Sequence, residues 1–193
     1  MAVLVLAGSG RNAGKTSVGC ALVRALEEFC WTAVKVTPHI HELSAAVNEE
    51  LDFASEKDTR RYLAAGAKRA FLIQGEAPGE NAADTLSLIR SSDCSGHCLL
   101  VESNRVDPES LAQDGESSVC IALLNGQPVH WKGSLPERAA HAHALVLTGG
   151  FCCDELPAEL RRKRVFQMVP GQWISPELVR FVRQSFSRNY FAQ

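Results

Sequence analysis

The stretch Gly8-Ser9-Gly10-Arg11-Asn12-Ala13-Gly14-Lys15-Thr16-Ser17 constrains this chain more than any other. The apolar run Ala2-Val3-Leu4-Val5-Leu6-Ala7 precedes it and reads as a buried strand. Val18, Leu22, Ala25, Leu26 and Phe29 follow at helical spacing. Strand, glycine-rich turn and helix in that order form a phosphate cradle. Small residues let successive backbone N–H groups curl inward around an anion. The helix N-terminus adds unpaired donors and partial positive charge. Lys15 then reaches the outer phosphates of a nucleotide, and the Thr16 hydroxyl is placed to ligate Mg²⁺. The usual first glycine, five places before Gly14, is here Ser9, flanked by Gly8 and Gly10. Gly10, Arg11, Asn12, Ala13, Gly14, Lys15, Thr16 and Ser17 are the expected nucleotide-binding surface. Arg11 either contacts a phosphate, in cis or in a partner subunit, or points to solvent.

A chain of 193 residues fits one α/β domain with a sizeable core, and the expectation is a single nucleotide-binding domain over 1–193. The net charge of −2 gives no general attraction for nucleic acid or an anionic membrane. No apolar run approaches the roughly 20 residues of a membrane span. The N-terminus has no basic flank and runs straight into the phosphate loop, which is unlike a signal peptide. A phosphate loop starting at residue 8 argues for the cytoplasm, where nucleotide and Mg²⁺ are found. The seven cysteines then read as thiols rather than disulfides.

Further along, Trp31–Thr37 has the β-branched content of a second strand, stopped by Pro38, and His39-Ile40-His41-Glu42 follows at its C-terminal end. Residues 42–57 are polar and weakly periodic and read as a long loop with a helical turn. Residues 57–65 look helical and end at Gly66. A strand is expected at Ala70–Ile73 and a helix from Glu80 to Arg90. Cys98–Glu102 is a buried strand closing on a carboxylate. Val119–Leu124 is another strand, followed by the turn Asn125-Gly126. A short helix from Leu135 to His141 leads into the strand Ala144–Thr148, with Gly149-Gly150 at its end. Glu155 to Arg162 reads as a helix and Val165–Val169 as the last strand. Ser175-Pro176-Glu177 starts the final helix with a capping hydroxyl, a first-turn proline and an acid. Strands alternating with helices imply α/β architecture: a three-layer P-loop NTPase fold with a mostly parallel sheet flanked by helices. Ligands of such sheets sit outside the strand C-termini, where the phosphate loop, His39, His41, Glu102 and Gly149 all fall.

Transfer or hydrolysis of a terminal phosphate needs Mg²⁺, positive charge and an oriented attacking group. Lys15 and Thr16 supply part of this, and the missing acid should close another buried strand. Glu102 is the leading candidate, its alternative being a rim ion pair. Asp58 is the second, its alternative being a first-turn acid favoured by the helix dipole. The expected catalytic set is Lys15, Asp58 and Glu102, and the expected Mg²⁺ set is Thr16, Asp58 and Glu102. His39 and His41 share one side of an extended segment, where two imidazoles at i, i+2 bind a metal or an anion, or are simply solvated. Cys94-Ser95-Gly96-His97-Cys98 holds three metal-ligand types in five residues, but Cys98 opens a buried strand. Cys152 and Cys153 are adjacent, which is poor geometry for one tetrahedral metal. Structural thiols are the better reading.

Several of these segments resemble one family. Residues 9–17 are similar to the phosphate loop of the molybdopterin-guanine dinucleotide biosynthesis B proteins, the GTP-binding adaptors of molybdenum-cofactor maturation. Lys35-Val-Thr-Pro-His39-Ile-His41 resembles that family's basic, histidine-containing segment. Lys57-Asp58-Thr59-Arg60-Arg61-Tyr62-Leu63-Ala64-Ala65-Gly66-Ala67 resembles its Lys-Asp-Ser/Thr…Ala-Gly-Ala signature, and Leu99-Leu100-Val101-Glu102 its Val-Glu-Gly segment. The resemblance covers residues 1–105. It implies Mg²⁺-site roles for Asp58 and Glu102, site roles for His39 and His41, GTP as ligand, and a molybdopterin cofactor or a maturation or molybdoenzyme partner. Ser103-Asn104 stands where that family has a glycine, and no Asn-Lys-x-Asp guanine-reading motif is present; Leu147-Thr148-Gly149-Gly150 occupies that general place.

Three functions fit. The first is Mg²⁺-dependent binding and slow hydrolysis of GTP or ATP in molybdenum-cofactor maturation or delivery. The second is an ATP-dependent small-molecule ligase or kinase of the dethiobiotin-synthetase type, with residues 38–57 forming a substrate pocket. The third is a metallochaperone-like switch in which nucleotide state gates a metal. A homodimer through an open sheet edge is compatible with all three.

Overall fold

The computed structural model describes residues 2–10, 12–39, 47–51, 57–75, 84–89, 98–106, 108–111, 116–126, 130–131 and 134–190. Its centre is an eight-stranded sheet. The strands are β1 (Ala2–Gly8), β2 (Thr32–Thr37), β3 (Val47–Glu49), β4 (Arg69–Gln74), β5 (Leu99–Glu102), β6 (Ser117–Asn125), β7 (Ala144–Thr148) and β8 (Arg164–Gln167). They lie in the order β3-β4-β2-β5-β1-β6-β7-β8. Every pairing is parallel except β3 with β4. The chain has the three-layer α/β architecture of a P-loop NTPase, as expected from its alternation of strands and helices.

The layers follow from strand periodicity. All seven residues of β1 are buried, because a central parallel strand is covered on both faces. Its side chains alternate between two cores. Leu4 and Leu6 join Val18 and Leu22 of α1 (Lys15–Ala25), Tyr62 of α2 (Asp58–Ala64) and Leu178, Val182 and Phe186 of α6 (Pro176–Tyr190). Val3 and Val5 join Leu86 and Ile89 of α3 (84–89), Leu111 of α4 (Pro108–Leu111) and Leu135 and Ala139 of α5 (Leu135–His141). The expected cap of the last helix forms: the Leu178 N–H donates to Ser175 Oγ at 3.2 Å. Among the described residues no helix is long and apolar enough to cross a membrane.

Two expectations fail locally. Part of the stretch read as a loop over 42–57 is the strand β3. Tertiary pairing decides this, since Val47–Glu49 lies antiparallel on β4 and the Arg69 guanidinium grips the Glu49 carboxylate at 2.7 and 3.0 Å. The helix expected over 155–162 is instead a 3₁₀ turn at Cys153–Glu155 followed by further turns. Pro157 explains the break: the residue before a proline is driven out of the helical region, and Leu156 sits at φ −68°, ψ 143°. The helix expected from 80 to 90 is seen over 84–89; residues 80–83 and 90 lie outside the described residues.

Candidate functional site

The loop between β1 and α1 is shaped by its neighbours. Gly14, the residue before the helix, has φ +87° and is followed by a first turn with no acid and no side-chain cap. Among the described residues, the first N–H groups of α1 therefore have no side-chain cap and its positive end faces no first-turn acid, as an anion site requires. Ser9, the departure from the usual glycine, clasps the end of β6: its Oγ accepts from the Asn125 N–H at 3.0 Å and donates to the Asn125 carbonyl at 3.3 Å. Thr148, ending β7, donates to the Ala13 carbonyl at 3.1 Å. The Asn104 amide brackets Gly8, accepting from its N–H at 2.8 Å and donating to its carbonyl at 2.9 Å. The residue that replaces the resembling family's glycine region thus ties the β5 exit to the loop's first residue.

Beside the loop lies a carboxylate cluster. Glu102 ends β5 and is 4% exposed. Its Oε2 accepts from the Thr16 hydroxyl at 2.8 Å and from the Tyr62 hydroxyl at 3.0 Å. Its Oε1 faces Lys35 Nζ at 3.3 Å. The sheet register makes this contact inevitable, since Lys35 on β2 is the direct partner of Glu102 on β5. Lys35 Nζ also contacts Asp58 Oδ2 at the start of α2. Arg61, one turn on, reaches Asp58 Oδ1 at 3.3 Å and donates to Ser17 Oγ at 3.1 Å. Close helix packing brings Tyr62 in: a Cβ on Gly19 of α1 would lie 2.6 Å from the Tyr62 hydroxyl. Of the two acids singled out from sequence, Glu102 is bonded to Thr16, and Asp58 joins the same cluster through Lys35 and Arg61.

The electrostatics follow this arrangement. Burial alone would lower the Lys35 pKa, but the Glu102 charge and the Asp58 hydrogen bond outweigh it and carry it above the ordinary lysine value. Burial would raise Asp58, yet its hydrogen bond and charge interaction with Lys35, helped by Arg61, bring it below the usual carboxylate value. Lys15 goes the other way: desolvation pushes its pKa down, only partly opposed by Glu102. Its Nζ folds back to donate to the Gly10 carbonyl at 3.0 Å. A desolvated ammonium held by one neutral acceptor is a good counterpart for an incoming anion.

These residues line one cavity of about 1040 Å³. Gly10, Asn12, Ala13, Gly14, Lys15, Thr16 and Ser17 form one wall, and Lys35, Asp58, Arg61, Glu102 and Asn104 another. His39 borders it, exposed, with its N–H donating to Thr37 Oγ1 at 3.2 Å. Arg11 and His41 lie outside the described residues. The donor set around Thr16 is hard oxygen, hydroxyl and carboxylate, which suits Mg²⁺. Among the described residues no group of three or more His, Cys, Asp or Glu side chains is placed to hold a metal. The described cysteines are free thiols. Burial pushes Cys20 and Cys98 up to about 11, so both stay protonated. Cys94 and His97 lie outside the described residues, and Cys98 itself is buried just ahead of β5.

Lys35, Tyr62, Asn104 and Trp173 are cavity or cluster residues that motif spacing alone does not single out. Lys35 had a signal: a lysine inside the β-branched run Thr32-Ala33-Val34-Lys35-Val36-Thr37 demands a buried counter-charge. The other three are brought in by tertiary packing.

No family model matches the chain, and no curated protein matches it in sequence. Among solved structures, HypB from Helicobacter pylori, determined in complex with nickel, is similar at a TM-score of 0.59. The match covers 98% of this chain and 89% of that one, with 16% identical residues. At that identity the likeness is one of fold.

Proposed function

We propose that this chain binds a nucleoside triphosphate with Mg²⁺ and hydrolyses it slowly, over 1–193 as one nucleotide-binding domain. The observation that supports this most directly is the Thr16–Glu102 hydrogen bond beside the open N-terminus of α1. It links a hydroxyl suited to Mg²⁺ with a buried acid that orients it. Lys15 and the loop amides hold the phosphates. Asp58 and Glu102 would hold Mg²⁺ with Thr16, directly or through water, and the ion would neutralise charge on the outer phosphates. Lys35 and Arg61 add cationic charge at the same end.

The output we favour is assistance in molybdenum-cofactor maturation or delivery in the cytoplasm, resting on the resemblance of residues 57–67 and 99–102 to the adaptor family. GTP is the nucleotide that resemblance implies, and ATP the alternative. A metallochaperone role is a second reading, because the similar fold of HypB was determined with nickel bound and His39 borders the cavity. A ligase or kinase needs a second substrate beside the nucleotide, and about 1040 Å³ leaves room for one by ordinary pocket sizes.

The decisive experiment is paired titration of ATP and GTP, each with and without Mg²⁺, followed by molybdopterin, nickel and small acids as second ligands. Mg²⁺-dependent micromolar nucleotide binding with phosphate release below about one per second supports the NTPase. No binding of either nucleotide refutes it. Nucleotide-dependent nickel retention selects the metallochaperone, and fast phosphate transfer to a small acceptor selects the ligase or kinase. Light scattering with and without nucleotide tests the homodimer.

A further inference from the structure

The cavity has two ends, and only one is explained by phosphate and Mg²⁺. Glu102, Asp58 and Lys35 come from β5, α2 and β2, all on one side of β1, while β6, β7 and β8 lie on the other side. If the acids mark the outer phosphates, the ribose and base of a bound nucleotide leave toward the β6–β8 side. The segment following β8 places Trp173 there. Its ring lies against the last glycine of the phosphate loop: a Cβ on Gly14 would come within 2.5 Å of Trp173 Cζ3. Trp173 lines the cavity and is 39% exposed.

The other two tryptophans show what a structural indole does in this fold. Trp31 is fully buried, packs on Phe29 and Phe186, and donates its N–H to the Leu26 carbonyl at 2.8 Å. Trp131 packs on Phe151 and donates to the Gly126 carbonyl at 3.1 Å. Among the described residues Trp173 has neither an aromatic neighbour nor an acceptor for its N–H. A large flat ring on the cavity wall, with no aromatic neighbour and no acceptor for its N–H among the described residues, is well suited to stack on another flat ring.

We propose that Trp173 is the nucleobase platform of this site, stacking on the base of a purine nucleoside triphosphate whose phosphates occupy the Gly8–Ser17 loop. This rests on the nucleotide reading above. Stacking reads the area of the π-face rather than the base edge. ATP and GTP should therefore bind with similar affinity, and both more tightly than CTP or UTP.

The test uses calorimetry with Mg²⁺ on the full chain, comparing ATP, GTP and inorganic tripolyphosphate, which has the phosphates without a base. Trp173→Ala should weaken ATP and GTP about tenfold, the usual scale for one base–aromatic stack, and leave tripolyphosphate within about twofold. Trp173→Phe should keep most of the nucleotide affinity. It should also abolish any quenching of tryptophan emission that ATP causes in the wild type and tripolyphosphate does not. Equal losses for ATP and tripolyphosphate in Trp173→Ala would mean the ring only buttresses Gly14, and unchanged nucleotide affinity would likewise overturn the proposal. Wild-type protein that binds tripolyphosphate as tightly as ATP would refute the platform while sparing the phosphate site. Wild-type protein that binds neither would refute the phosphate site itself.

Discussion

Lys35→Met removes the lysine that touches both Asp58 and Glu102, and its cost can be worked from the contacts. Lys35 Nζ faces Asp58 and Glu102, whose side chains are 34% and 5% exposed, and its own side chain is 25% exposed. Removing one partner of a fully buried ion pair costs about 3–5 kcal/mol, whereas an exposed pair is worth about 0.2–1 kcal/mol. This cluster lies between: one acid is buried and the other is open to water. A loss of about 2 kcal/mol is expected, which for a chain of this size lowers Tm by about 4–8 °C. The pH dependence has a definite sign. Asp58 is depressed, so its share of stability is present above the unfolded carboxylate pKa of about 3.9 and lost as pH falls through the lower folded value. Lys35 is raised, so its share persists below about 10.4 and fades only as pH climbs through the higher folded value.

Urea melts of wild type and Lys35→Met at pH 7 and at pH 3 therefore carry the test. The gap should be about 2 kcal/mol at pH 7 and should shrink at pH 3, which lies below the unfolded carboxylate pKa of about 3.9, where the share contributed by Asp58 is being lost. If Asp58, Glu102 and Thr16 accept Mg²⁺, the ion should stabilise the variant more than the wild type, because no ammonium competes for the same oxygens. At 100 times its Kd, Mg²⁺ would restore about 2.7 kcal/mol. Equal stability at pH 7, or a gap that does not change with pH, would refute the assignment of Lys35 as counter-charge to these acids.

The remaining predictions test the loop, the helix contact and the lysine. Lys15→Ala should cost about 1.5–3 kcal/mol of triphosphate affinity by calorimetry with little change in melting, because among the described residues the Lys15 ammonium has one hydrogen bond, to the Gly10 carbonyl. Gly19→Ala should destabilise by about 1–3 kcal/mol in denaturant melts, since the new methyl meets the Tyr62 hydroxyl and pushes it from Glu102; adding Tyr62→Phe should recover part of the loss. Triphosphate binding should take up protons below the ordinary lysine pKa of about 10.4, because an anion reverses the downward shift that burial imposes on Lys15. Calorimetry near pH 9 in buffers of different ionisation enthalpy reads this, and buffer-independent heats would count against it.

What could be read from sequence was whatever is encoded over a few consecutive residues. The strand–loop–helix over 2–25, the helix Leu135–His141 and the strand Ala144–Thr148 each carry a local pattern of apolar spacing and terminators, and the structure follows it. The edge strand β3 has no such pattern, because Val47-Asn48-Glu49 is made a strand by the β4 backbone and by Arg69. The helix expected over 155–162 is the reverse case: Pro157 holds Leu156 in an extended conformation and overrides the local helix-forming sequence. In the site, Glu102 was visible because a carboxylate closing a buried strand is chemically odd. Tyr62 and Asn104 were not, since their contacts with Glu102 and Gly8 span 40 and 96 residues of sequence.

The same long-range ties explain why the site can be open yet well placed. The loop's first residues are held by Asn104 from β5 and Asn125 from β6, and its middle by Thr148 from β7. None of these contacts uses Lys15 or the first N–H groups of α1, so the groups suited to phosphate are left unspent while the backbone around them is fixed. The acids are held separately, by Lys35 and Tyr62. A ligand that draws Lys35 toward its phosphates removes one of the two cations on Asp58 at the start of α2, and α2 packs on the loop's helix through contacts that include Arg61–Ser17 and Tyr62–Gly19. Nucleotide state should therefore be felt first at the start of α2, at Asp58 and Arg61, and hydrogen exchange of 57–65 with and without triphosphate measures it. Protection that changes only within 8–17 would show that the two halves of the site are uncoupled.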